Sequence, residues 1–285
     1  MVQSSEERVV NMLKKVVGLY FSPSGGTAEI TKRITESIAE VVQVSSVEDV
    51  VCECYDIIRK PLEEDMYFDE DTVVVLGISV FTGRLPLPAI KLINQLHGGG
   101  AMMVGVVCYG NTSYGDSLYE LYAFAGDQGF RTIAAGAFIT RHGMFERLAQ
   151  DRPDENDYAM ARSFADNAAG KILRLSGSLV HGLRIEPAPL DIKGCMPSKG
   201  PVKMPLHPTP GKNCVLCGEC ARICPVQAIS HDDPAKINVK KCISCTACIK
   251  SCPNGSRGMY GPFAEASRLA MEVMYRRRKE PEWFI

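Results

Sequence analysis

The sequence predicts an α/β chain: a doubly wound, five-stranded parallel sheet, followed by a small module organised by cysteines. Three observations carry this. Apolar runs alternate with amphipathic stretches through the first 176 residues, the pattern of strands joined through helices. From 177 to 211, prolines at 187, 189, 197, 201, 205, 208 and 210 forbid regular helix or sheet. Beyond them one cysteine pattern occurs twice. The expected organisation is a domain over 1–176, a Pro-rich linker over 177–211, a cysteine module over 212–258, and a closing helix and tail over 259–285.

Each element has a local reason. Residues 16–21 are a short apolar run, read as a buried strand, and 27–42 form a helix with Ile30, Ile34 and Ile38 on one face. Residues 53–58 give a weaker strand and 72–80 a central one. A short helix over 88–96 stops at Gly98, Gly99 and Gly100, three successive helix breakers. Strands over 101–108 and 131–138 flank a helix over 117–128, and 156–176 is the last helix of the domain. Right-handed crossovers are expected. Residues 262–278 read as a closing helix, with Arg276, Arg277, Arg278 and Lys279 as its solvated, dipole-matched C-terminus.

Composition excludes several classes. At 285 residues the chain accommodates one full-sized domain and a small one. A formal net charge of −1 creates no global field toward nucleic acid or anionic lipid. The first fifteen residues carry Glu6, Glu7, Arg8, Lys14 and Lys15 and lack a signal-peptide apolar core. No apolar run reaches the ~20 residues that span a bilayer. A cytoplasmic location is expected, without nucleic-acid or membrane partners.

Eight of the twelve cysteines form two copies of one motif. The first is Cys214, Cys217, Cys220, Cys224 before Pro225; the second is Cys242, Cys245, Cys248, Cys252 before Pro253. Thiolates are soft ligands for iron, and three cysteines spaced by two residues wrap one corner of a cubic [4Fe–4S] cluster, with the fourth crossing to the other cluster in two-cluster ferredoxins. Cys214, Cys217, Cys220 and Cys252 are thus expected at one cluster, and Cys242, Cys245, Cys248 and Cys224 at the other. Zinc is the alternative, since paired C-x-x-C also makes zinc sites, but the duplicated Cys-Pro ending is unlike a zinc ribbon. The motif resembles that of bacterial two-cluster ferredoxins, which implies a ferredoxin-like α+β domain. Cys52, Cys54, Cys108 and Cys195 stand outside it and read as idle or packed thiols.

A second chemical site is written in three loops. Ser22, Pro23, Ser24, Gly25, Gly26 and Thr27 lie between the first strand and helix. Glycines admit close approach of an anion, helix-start amides point at it, and the hydroxyls of Ser22, Ser24 and Thr27 add donors. The loop lacks the lysine of a nucleotide-triphosphate loop and the three-glycine dinucleotide spacing. It resembles the first loop of flavodoxin, which holds the phosphate of FMN. Two further Gly-containing loops end the third and fourth strands, at the sheet edge where ligands bind. By the same resemblance Phe81, Thr82, Gly83 and Arg84 line one side of the flavin, and Tyr109, Gly110, Asn111, Tyr114 and Asp116 the other. The strand order implied is 2-1-3-4-5. His142, after the fifth strand, lies at the same edge.

The whole layout resembles the flavodoxin–ferredoxin fusion family, found mainly in anaerobic bacteria and archaea. That resemblance implies an electron-transfer protein relaying electrons between two [4Fe–4S] clusters and FMN, with redox partner proteins (a ferredoxin or an oxidoreductase). A ferredoxin-coupled flavin reductase, with His142 or Tyr114 as proton donor to a small organic substrate, is the second reading. A partner-docking protein with an empty flavodoxin-like domain is the third. A homodimer that brings one chain's clusters to another's flavin is compatible with the sequence.

Overall fold

The computed structural model describes residues 13–197, 202 and 204–285; the N-terminal start of the first domain and linker positions 198–201 and 203 lie outside the described residues. In chain order the strands are β1 (Lys15–Phe21), β2 (Val51–Asp56), β3 (Met66–Tyr67), β4 (Thr72–Ser79), β5 (Leu96–His97), β6 (Met102–Tyr109), β7 (Arg131–Ile139), β8 (Thr209–Pro210), β9 (Arg257–Gly258) and β10 (Glu282–Phe284). The helices are α1 (Gly26–Val44), α2 (Leu87–Ile93), α3 (Ser117–Asp127), α4 (Glu155–Val180), α5 (Glu219–Arg222), α6 (Ala247–Lys250) and α7 (Pro262–Met274).

The main sheet runs β10-β7-β6-β4-β1-β2. Its five successive strands from β2 to β7 pair in parallel in the flavodoxin-like order 2-1-3-4-5. Strands β4, β6 and β7 are buried along their whole length, because helices cover both faces of a parallel sheet and leave no polar side. On one face, Ile30, Ile34, Ile38 and Val42 of α1 meet Phe164, Ala168 and Ile172 of α4. On the other, Ala89, Leu92 and Ile93 of α2 join Leu118 and Leu121 of α3. The approach of α1 to β4 requires Gly77, where an added Cβ would sit 1.8 Å from Thr31 Oγ1.

Several boundaries depart from the sequence expectation. The edge strand β2 starts and ends two residues early, since its half-exposed residues give no buried pattern. The helix expected over 88–96 ends at Ile93, and Leu96 with the following His97 pairs with Met66 and Tyr67. Helix α4 continues to Val180, four residues past the expected domain end. The largest correction concerns the C-terminus. Helix α7 ends at Met274, so the arginine run is not a helix terminus. Instead Arg278 pairs with Asp154 and Glu280, and the chain adds β10 antiparallel to β7. That strand covers an edge whose unpaired backbone groups otherwise invite other chains. Among the described residues no helix is long and apolar enough to cross a membrane.

The cysteine module has a small core: Ala221, Ala228 and Ile229 with the cysteines themselves. Its duplication is visible in the backbone. Leu216 and Ser244, Gly218 and Thr246, and Gln227 and Gly255 all have positive φ, and α5 and α6 are matching single turns, each pair offset as Cys214 is from Cys242.

Candidate functional site

Loops after β1, β4, β6 and β7 meet at the carboxyl edge of the sheet around a cavity of about 170 Å³. Ser24, Phe81, Thr82, Tyr109, Gly110 and His142 line it. The cysteine module supplies the rest of the enclosure: Ile243, Ser244, Cys245 and Thr246, with Val202, Met204 and Met271. Sequence reasoning missed this wall, because no local pattern reports a contact between distant segments.

The first loop is built as an anion cradle, with its hydroxyls divided between tasks. Gly25 takes φ +98° and has open space where a Cβ would stand. A Cβ on Gly26 would come within 2.7 Å of the Thr140 side chain. Ser22 Oγ accepts from the Ala28 amide at 2.9 Å, and the Thr27 hydroxyl bonds Ser79 at 2.7 Å in the core. Those two hydroxyls hold the loop, while Ser24 faces the cavity. Gly25 caps α1 without a side-chain bond, and the helix start is where backbone donors favour an anion.

The second loop is a two-residue hairpin closed by reciprocal Phe81–Arg84 backbone bonds of 2.9 and 3.0 Å. Thr82 and Gly83 both have positive φ, as a type I′ turn demands. Phe81 packs edge-on against Phe21. Arg84 does not line the cavity: its guanidinium bonds the buried Glu120, which also accepts from the Leu85 amide at 2.8 Å. Arg84 therefore anchors the loop from behind.

The third loop is likewise split. Tyr109 and Gly110 line the cavity, whereas Asn111, Tyr114 and Asp116 serve other partners. Asn111 donates to the carbonyls of Tyr275 and Arg277 and accepts from the Lys279 amide, 2.7–3.0 Å. Tyr114 donates to Glu282 at 2.5 Å; burial and that carboxylate push its hydroxyl well above the usual tyrosine range. Asp116 accepts from the Cys195 amide at 3.4 Å. None of these three, the expected flavin contacts Asn111, Tyr114 and Asp116, lines the cavity; they fasten the C-terminal tail and the linker.

His142 borders the cavity. Its Nδ1 accepts from the amides of Met144 and Phe145 at 3.2 and 3.1 Å, so the neutral ring carries its proton on Nε2. Burial lowers its pKa to about 4. At neutral pH it is a hydrogen-bond donor, not an acid. Gly110 makes room for it, since a Cβ there would lie 2.5 Å from His142 Cα.

The eight motif cysteines surround two further cavities. Cys214, Cys217, Cys220 and Cys252 line one. Cys224, Cys242, Cys245 and Cys248 line the other. Among the described residues, no three potential ligands converge as a single metal ion requires. Backbone amides already aim at sulfur: Ala228 at Cys224, Ser244 at Cys242 and Ser256 at Cys252, 3.2–3.4 Å. Burial pushes the Cys248 thiol up to about 12, so ligation must displace protons. Inside this module Arg257 is 4% exposed, and its Nε and Nη2 are buried without a hydrogen-bond partner. An orphaned buried cation fits a pair of anionic clusters. Of the remaining cysteines, Cys52 and Cys195 are exposed, Cys54 is half-buried and Cys108 buried, all free.

The family model described as a 4Fe-4S dicluster domain matches residues 213–256. A protein of Escherichia coli (strain K12) named as an oxidoreductase, AegA, is 53% identical over 38 residues, 13% of this chain. The chain spans 6% of that protein's length. Among solved structures, a flavodoxin from the domain Archaea matches 55% of this chain and 98% of its own, at 17% identity and TM-score 0.39. An NADH:FMN oxidoreductase in its apo form matches 55% of this chain and 88% of its own, at 11% identity and TM-score 0.37. The sheet order and the family match define the class: a flavodoxin-like α/β domain joined to a C-terminal 4Fe–4S domain. Over residues 213–256 the chain carries a 4Fe-4S dicluster-type domain.

Proposed function

We propose that this chain relays electrons between two [4Fe–4S] clusters and a bound FMN. One observation carries the reading: Ile243, Cys245 and Thr246 line both the large cavity and the cavity of Cys224, Cys242, Cys245 and Cys248. A single loop is the partition between them. When bound, FMN supplies two-electron chemistry and each cluster one-electron transfer. The chain's residues supply place and surroundings. The α1 N-terminus and Ser24 receive the phosphate, Phe81 and Tyr109 flank the ring, and the His142 Nε2 proton is offered to it. Met204 and Met271 exclude water. The motif cysteines hold the clusters in the crossed sets, and the exposed Val215–Leu216–Cys217 turn presents the outer one to a redox partner protein.

Anaerobic preparation tests the reading. It is expected to yield ~8 iron and ~8 sulfide per chain, and a yellow compound released by denaturation that migrates as FMN. Reducing the clusters with one-electron donors should bleach the flavin absorbance within the same chain. Zinc in place of iron, or a colourless extract, overturns it.

A further inference from the structure

Arg257 is the one buried cation of the cysteine module with unpaired donors among the described residues. It sits on β9, five positions after Cys252. Its Nη1 donates to Cys220 Sγ at 3.3 Å and to the Pro234 carbonyl at 2.9 Å. Its side chain lines the cavity of Cys214, Cys217, Cys220 and Cys252. A guanidinium is always charged and weakly hydrated, yet burial without an anionic partner is strongly unfavourable. Among the described residues no carboxylate accepts from it, and its hydrogen bonds there run to a sulfur and a carbonyl. The compensating charge must come from the ligated clusters, in which four thiolates outweigh the charge of the cube.

We propose that Arg257 is a positioning residue that sets the reduction potential of the cluster held by Cys214, Cys217, Cys220 and Cys252. Reduction adds negative charge to that cluster. A fixed positive charge in hydrogen-bond contact with one of its sulfurs stabilises the reduced form and raises its potential. The second cluster, reached only through space, is raised less. Arg257 thereby biases an added electron toward the outer, partner-facing cluster.

The inference rests on the two-cluster reading, and the full chain tests both separately. Wild type, Arg257→Gln and Arg257→Lys are purified anaerobically, analysed for iron, and titrated with a low-potential reductant under EPR. Contact-shifted cysteine proton signals assign each midpoint. With Gln, the cluster that includes Cys220 is expected to lose at least tenfold in its reduction equilibrium, about 59 mV for one electron. The other cluster moves less, and Lys gives an intermediate shift. If Gln does not retain iron, Lys decides alone. Its ammonium ends one bond short of the Nη1 position that bonds Cys220 and Pro234, so that midpoint falls below wild type. Unmoved midpoints, or a larger shift at the other cluster, overturn the inference. An iron-free wild type instead overturns the two-cluster reading.

Discussion

At the scale of single residues, the site depends on what is absent as much as on what is present. Gly110 exists because His142 occupies the space a side chain would need. Gly110→Ala places a carbon 2.6 Å from His142 Cβ, and forcing the ring aside is expected to cost about 1–3 kcal/mol, measured by denaturant unfolding, with loss of flavin affinity in the same variant. His142 itself should titrate with a midpoint near 4, seen in its ring-proton NMR shift. Because its folded pKa lies below the unfolded value, protonation disfavours the fold as pH drops from about 6.5 toward 4, and has no effect above that window. Thr246 shows the converse of Gly110. It occupies the positive-φ position that Gly218 fills in the first repeat, at a strain a β-branched residue rarely accepts. Its hydroxyl holds the Cys245 carbonyl at 2.6 Å, on the wall between the two cavities.

At the scale of elements, legibility follows the range of the interactions. The parallel strands and α1 could be read because burial on both faces or on one stripe leaves a local pattern. The cysteine runs could be read because ligand spacing is local. The loop residues were only half legible: strand ends locate the cavity, but whether Arg84 faces it or turns to Glu120 depends on α3, and Asn111 looked like a ligand contact although it clasps the tail. Strand β10 was not legible, since three residues carry no period and their partner β7 is far away in sequence. Nothing in the sequence around Arg257 marks its burial, which is set by contacts with Cys220 and Pro234. The tail offers its own measurement. Trp283, the sole tryptophan, packs against Phe164, so its emission reports docking. Hydrogen bonding to Arg278 holds the Asp154 carboxyl well below the usual range. Its contribution is complete above the unfolded pKa of about 3.9 and is lost as pH falls further toward the folded value. Trp283 emission should therefore stay constant from pH 7 to about 4 and shift to the red below. Asp154→Asn keeps the helix cap and removes the ion pair. With both partners partly in solvent, the loss is expected to be only about 0.2–1 kcal/mol.

At the scale of the whole molecule, the two halves of the cysteine module are interlocked, since Cys252 joins the cavity of the first run and Cys224 that of the second. A double variant separates this from local pairing. Cys224→Ala with Cys242→Ala removes two ligands from one crossed set and none from the other, so about four iron atoms per chain should remain. Local pairing would damage both clusters and leave almost none. The module is also attached twice. The linker enters it past the Thr82 turn, where Thr82 Oγ1 meets the Val202 carbonyl, and the chain leaves it through α7 to be clasped by Asn111 and stitched to β7. A module bound at both ends has no swing. Under the proposed relay the hop from cluster to flavin spans a fixed gap, so adding glycerol or sucrose to thicken the solvent should slow encounters with outside donors and leave the hop itself at its original rate.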